Sequence, residues 1–190
     1  MNGSRLLISK HTVATLRATG VTAIILFAFF ASSGCAPRLS PDPFYLDANQ
    51  NTLLAQANIH GNIQWGRVYW QPEVWIDNVR YEHAVGMHPP EKDIAYAEFN
   101  IPPGASYFQT VFGLARQDTY PTGYGNVAGR IFIDGSTFWE GTLSDPKALT
   151  TPRIPVPKGA KRLRLEVDPL GTNWSDHATW VNAHFGGEEK

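Results

Sequence analysis

Cysteine is almost missing: Cys35 is the one thiol in 190 residues. No internal disulfide can form, so an exported fold must stand on core packing alone. Excess basic charge is missing too, with 16 Lys and Arg against 17 Asp and Glu. Three of the cations, Arg5, Lys10 and Arg17, sit in the first 35 residues, which hold no acid. The remainder sets 13 basic against 17 acidic residues, the wrong sign for gripping a phosphate backbone. Nucleic acid is set aside as a partner. Room for long helices is short, because Pro89, Pro90, Pro102, Pro103, Pro121, Pro152, Pro155 and Pro157 interrupt the chain. Catalytic signatures are absent: there is no H-E-x-x-H, no G-x-S-x-G, no phosphate loop and no Cys/His metal spacing. Glu140, Glu166 and Asp118 are carboxylates of the glycosidase type, but no local feature pairs any two of them. The chain is read as non-catalytic, with a small glycosidase as an alternative.

One apolar run is present, residues 21–31 (VTAIILFAFFA). It has about half the ~20 residues of a membrane-spanning helix. A basic stretch precedes it, and Ser32, Ser33 and Gly34 follow and lead into Cys35. That layout is a secretory signal peptide. Its Ser-Ser-Gly-Cys end resembles a bacterial lipobox, although Ser32 stands where such sequences usually carry Leu. The resemblance implies that residues 1–35 are a signal peptide and that Cys35 carries a lipid anchor. The alternative is ordinary cleavage near residues 31–36. Residues 36–62 read as a Pro-rich spacer and short N-terminal extension, with Pro37, Pro41 and Pro43 stiffening it. Within it, residues 46–57 read as a short helix.

From Trp65 onward the signals are those of strands. Residues 107–115 (YFQTVFGLA) are rich in aromatic and branched side chains. Residues 130–133 run into Asp134-Gly135, a tight-hairpin dipeptide, and residues 137–139 can return. Leu163, Leu165 and Val167 alternate with Arg162, Arg164 and Glu166, the period of a half-buried strand. Residues 178–185 form a last candidate. Many short strands separated by turns predict an all-β sandwich.

Five segments follow one another in order: Val85-Gly86-Met87-His88, the strand at residues 108–114, the hairpin Ile133-Asp134-Gly135 with Phe138-Trp139-Glu140, Gly159-Ala160-Lys161-Arg162-Leu163-Arg164-Leu165, and Asp176-His177-Ala178-Thr179-Trp180. Together they resemble the motifs of NPCBM domains, a class of carbohydrate-binding modules found beside glycoside hydrolases, notably of family 98. Thr179 stands where the family's closing motif has Asp. The resemblance covers residues 63–185, leaving residues 186–190 as a polar tail. It implies a jelly-roll-like β-sandwich similar to galactose-binding domains, and a glycan as ligand. A structural or assembly lipoprotein, holding a protein partner on the same sandwich, is the rival reading.

Sugar sites combine an aromatic platform with polar groups that orient hydroxyls. Four ligand-binding candidates follow. Trp174 lies in a polar loop and is either such a platform or a cap on the sandwich edge. His88 either bonds a hydroxyl or braces its turn through a backbone carbonyl. Arg116 and Asp118, with Gln117 between them, emerge from a strand end as a hydroxyl-binding cluster or an exposed ion pair. Tyr120 and Tyr124 nearby read as packing across their own loop. Asp168, Asn173 and Asp176 are candidate calcium ligands, few against the six to eight oxygens that calcium takes. Asp176 alternatively caps backbone N–H groups, and Trp180 belongs to the core.

Overall fold

The computed structural model describes residues 43–68, 73–115, 125–144 and 147–187. Arg116, Asp118 and Cys35, with the segment before it, lie outside the described residues. In chain order the elements are β1 (Phe44–Tyr45), α1 (Gln50–Leu53), β2 (Leu54–His60), β3 (Asn62–Trp65), β4 (Val74–Ile76), β5 (Val79–Tyr81) and β6 (Ala84–His88). They continue as β7 (Ala95–Asn100), β8 (Tyr107–Leu114), β9 (Val127–Ile133), β10 (Ser136–Leu143), β11 (Ala148–Thr150), β12 (Ile154–Pro155), β13 (Arg162–Pro169) and β14 (Ala178–Gly186).

Two antiparallel sheets form a sandwich. One has five strands in the order β10-β9-β13-β7-β2. The other has seven, running β11-β8-β14-β6-β3, with β1 added beside β14 and β12 beside β8. The alternation in β13 is the one expected: Leu163, Leu165 and Val167 are fully buried, while Arg162 is exposed and Arg164 half-buried. Glu166 departs from a simple half-buried strand. It lies on the outer face yet is only 6% exposed, because the arginines beside it cover it. Asp134 and Gly135 close the β9–β10 hairpin with φ of 46° and 81°, the positive values that a two-residue turn of this kind requires.

Rings from both sheets meet between them. Trp180 of β14 is tilted against Phe112 of β8 at 4.5 Å, and Trp139 of β10 meets Trp180 edge-on at 5.8 Å. Phe112 presses so closely on β9 that a Cβ at Gly129 would lie 2.7 Å from its ring. The β4–β5 hairpin sits apart, placing Val74 and Ile76 in a smaller buried cluster with Val68, Ala84, Ala115 and Val181.

The N-terminal part differs from the sequence expectation. The helix is limited to Gln50–Leu53, and the residues after it form β2, paired with β7. β1 pairs with β14, Tyr45 stacks on His83 at 3.7 Å, and the Asp47 carboxylate accepts the Ala84 N–H. Residues 44–62 are thus woven into both sheets rather than preceding them.

Candidate functional site

Strand pairing decides which loops meet. Ala178 at the start of β14 faces Leu114 at the end of β8 and Met87 near the end of β6. His88 faces Asn62 at the start of β3. In the other sheet, Pro169 at the end of β13 faces Val127 at the start of β9, which faces Leu143 at the end of β10. The β6–β7 and β13–β14 connections therefore share one end of the sandwich with the ends of β8 and β10.

Residues 170–177 form the centre of this end. Asn173 donates from Nδ2 to the Pro89 carbonyl at 3.2 Å, and His88 donates from Nδ1 to the Asp176 carbonyl at 3.2 Å. His88 thus bonds a backbone carbonyl, the bracing role, and its ring stacks parallel to His177 at 5.1 Å. The loop is pinned on its other side by Ala115, whose N–H reaches the His177 carbonyl at 3.0 Å, and by Leu170, whose N–H reaches the Asn126 carbonyl at 2.9 Å.

Against this braced base Trp174 stands out. Its side chain is 82% exposed, so it does not cap the sandwich edge. A large ring held out in water on a pinned loop has no packing role, which is the placement a stacking platform needs.

The same loop carries a buried acid. Asp176 is fully buried, its Oδ1 accepts the Asn126 N–H at 2.9 Å, and its Oδ2 has no hydrogen-bond partner among the described residues. Burial pushes its carboxyl up to about 7. Burial, and then the neighbouring His88, push the His177 ring down to about 4. Gly125 approaches so closely that a Cβ there would fall 2.1 Å from Asp176 Oδ1. Ala115 and Gly125 both lie against this loop.

The three calcium candidates do not form an oxygen cage. Asp168 pairs with Arg130 at 3.0 Å on the outer face of the five-stranded sheet, Asn173 turns its amide N–H to Pro89, and Asp176 receives a backbone N–H. Among the described residues no group of three or more His, Cys, Asp or Glu side chains is placed to hold a metal ion. Glu140 and Glu166 both bind Arg130, at 3.3 and 3.0 Å, which occupies both as ion-pair partners. His177 escaped the sequence reading, although it sits inside the closing Asp-His-Ala motif. Gly125 escaped as well, since nothing local marks a close approach to a residue fifty positions away.

The family model for the NPCBM/NEW2 domain matches residues 46–186. The chain belongs to this family. No curated protein matches it significantly. Among solved structures, the NPCBM domain is similar to the second CBM51 module of Clostridium perfringens ZmpB, described with INT domains and in complex with GlcNAc. The TM-score is 0.62 at 20% identity, over 77% of this chain and 32% of that one. It is also similar to the CBM51 of Clostridium perfringens GH95 in complex with methyl-galactose, with TM-score 0.57, 19% identity and 76% and 99% coverage. The tandem CBM51 modules of the family 98 glycoside hydrolase from Streptococcus pneumoniae SP3-BS71 give 0.63, 14%, 78% and 48%. The chain thus spans about a third of the first of these and about half of the third. At such identities the likeness establishes the fold.

Proposed function

We propose that this NPCBM domain is a non-catalytic carbohydrate-binding module, tethered at the cell envelope through lipidated Cys35. It holds a glycan, galactose-type sugars among the candidates, at the loop end of the sandwich. The observation that carries this reading is Trp174, an indole 82% exposed on a loop pinned by His88, Asn173 and Ala115. The sugar's apolar face stacks on the indole, and Arg116 and Asp118 supply a donor and an acceptor for its hydroxyls. His88 acts as a positioning residue through the Asp176 carbonyl. Related modules described with methyl-galactose and with GlcNAc support a small pyranose as ligand. The engagement of Glu140 and Glu166 by Arg130 supports a role without catalysis.

Losing the platform weakens binding at the loop end without unfolding. Trp174→Ala is expected to cost about 2 kcal/mol of binding, roughly thirtyfold in affinity, while the melting temperature stays within error of wild type. Arg116→Ala is expected to behave alike. Calorimetry against the best sugar ligand checks both, and normal binding by the two variants places the site elsewhere.

The tether has its own test. Cells fed a palmitate analogue should label the wild-type protein and not Cys35→Ser. Equal labelling, or an unlabelled wild type, removes the lipid from the account.

A further inference from the structure

The outer face of the five-stranded sheet carries an ordered array that the loop end does not use. Phe132, Arg164 and Glu98 occupy facing positions on β9, β13 and β7. In a parallel row, Glu140, Arg130, Glu166 and Tyr96 face one another across β10, β9, β13 and β7, with His60 of β2 opposite Tyr96. The rows are locked together. Arg164 donates to Glu166 at 2.7 Å, and Arg130 donates to the other oxygen of Glu166 at 3.0 Å. The Arg164 guanidinium lies 3.8 Å from the centre of the Tyr96 ring and 5.9 Å from that of Phe132.

A depression of about 320 Å³ opens on this face, lined by Glu98, Phe132, Gly135, Arg162, Arg164 and Glu166. That volume is at the small end of ligand sites, roughly 300–1,000 Å³. Gly135 belongs to the β9–β10 hairpin, at the end of the sandwich opposite Trp174. The lining chooses the class of ligand. Two carboxylates and two guanidiniums cancel in charge, so neither an anion nor a cation is drawn in. They offer acceptors and donors side by side, and Phe132 adds an apolar surface. Each hydroxyl of a sugar both donates and accepts, and the ring's C–H face suits Phe132. Among the described residues the buried Nε of Arg164 has no acceptor, so the network is not closed on itself there.

We propose that this depression is a second site, for an uncharged pyranose, on the sheet face. It rests on the sheet's own side chains and stands apart from the loop-end reading. The test is an amide NMR titration of the full chain with methyl galactoside and with N-acetylglucosamine, and glucuronate as the charged control. At least one neutral sugar should produce saturable shifts at Glu98, Phe132, Gly135 and Arg164, and these should persist in Trp174→Ala. Arg162→Ala, at an exposed position, should keep the melting temperature and weaken those shifts about tenfold, as losing a charged hydrogen-bond donor does. Arg164→Lys, which keeps the charge but not the planar fork, should weaken them as well. Shifts confined to residues 170–177 overturn this site and leave the loop-end site standing. Shifts on the sheet face alone do the reverse. Face shifts that are unchanged in Arg162→Ala and Arg164→Lys, tighter binding of glucuronate, or no shift with either neutral sugar also overturn it.

Discussion

Replacing Trp180 by Ala is expected to cost about 3–5 kcal/mol, the range for removing a large buried ring. Trp180 has no exposed surface and sits in β14 between β8 and β6. Its ring touches Phe112 of its own sheet and Trp139 of the other, so the truncation opens a cavity where the sheets meet. Gly129 fits against the same Phe112 ring, and the surrounding strands have little freedom to collapse into the gap. A domain of this size has a total stability of only ~5–15 kcal/mol, so the variant should melt far below wild type or fail to fold. Denaturant unfolding followed by tryptophan fluorescence measures the loss. A midpoint equal to wild type would mean that Trp180 does not fill the core.

The second large effect is a pH dependence hidden by compensation. The buried Asp176 carboxyl is pushed up to about 7 from 3.8, so the folded state keeps a proton that the unfolded state releases. Its contribution to stability is complete below about 3.8 and is lost as pH rises through about 7, at ~1.4 kcal/mol per unit. His177 is pushed down to about 4 from 6.5, so there the unfolded state binds the extra proton. Its contribution is absent below about 4 and grows until about 6.5. Between pH 4 and 6.5 the two slopes oppose, and the wild-type profile should be nearly flat. Asp176→Asn removes one arm. Its stability should rise by about 3 kcal/mol from pH 4 to 6.5 and exceed wild type by about 4 kcal/mol at pH 8. Urea unfolding at half-unit steps reads this directly, and parallel profiles for the two proteins would contradict it.

Much of the fold is legible in the sequence where the signal is local. Leu163, Leu165 and Val167 announce β13 by their period, and Asp134-Gly135 announces the hairpin that the structure builds there. Other elements depend on distant partners. Residues 54–60 (LAQANIH) have no strand composition, and pairing with β7 decides their state. The β4–β5 hairpin did carry a signal. Asp77 and Asn78 take φ of 48° and 61°, values those residue types tolerate in tight turns, between Val74-Trp75-Ile76 of β4 and Val79 of β5.

The candidate site divides in the same way. The polar neighbours of Trp174 mark it as a loop residue, and the structure holds it in water. The burial of Asp176 was not readable, since its depth depends on Asn126 and Gly125, fifty positions away. Nor was the charged array on the five-stranded sheet. Arg130 and Arg164 are ordinary outward residues in their own strands. Their shared hold on Glu166 exists only once β9 and β13 are side by side.

The central claim is that the loop end around Trp174 binds glycans, and an array of bacterial and host glycans tests it most directly. The array should be probed in parallel with the wild-type chain and with folded Trp174→Ala. The account predicts a restricted set of wild-type signals, galactose-terminated structures among them, strongly reduced for the variant. A wild-type chain that binds nothing on the array, or signals that the variant reproduces at full strength, would contradict it, the former leaving the sandwich as a scaffold for a protein partner.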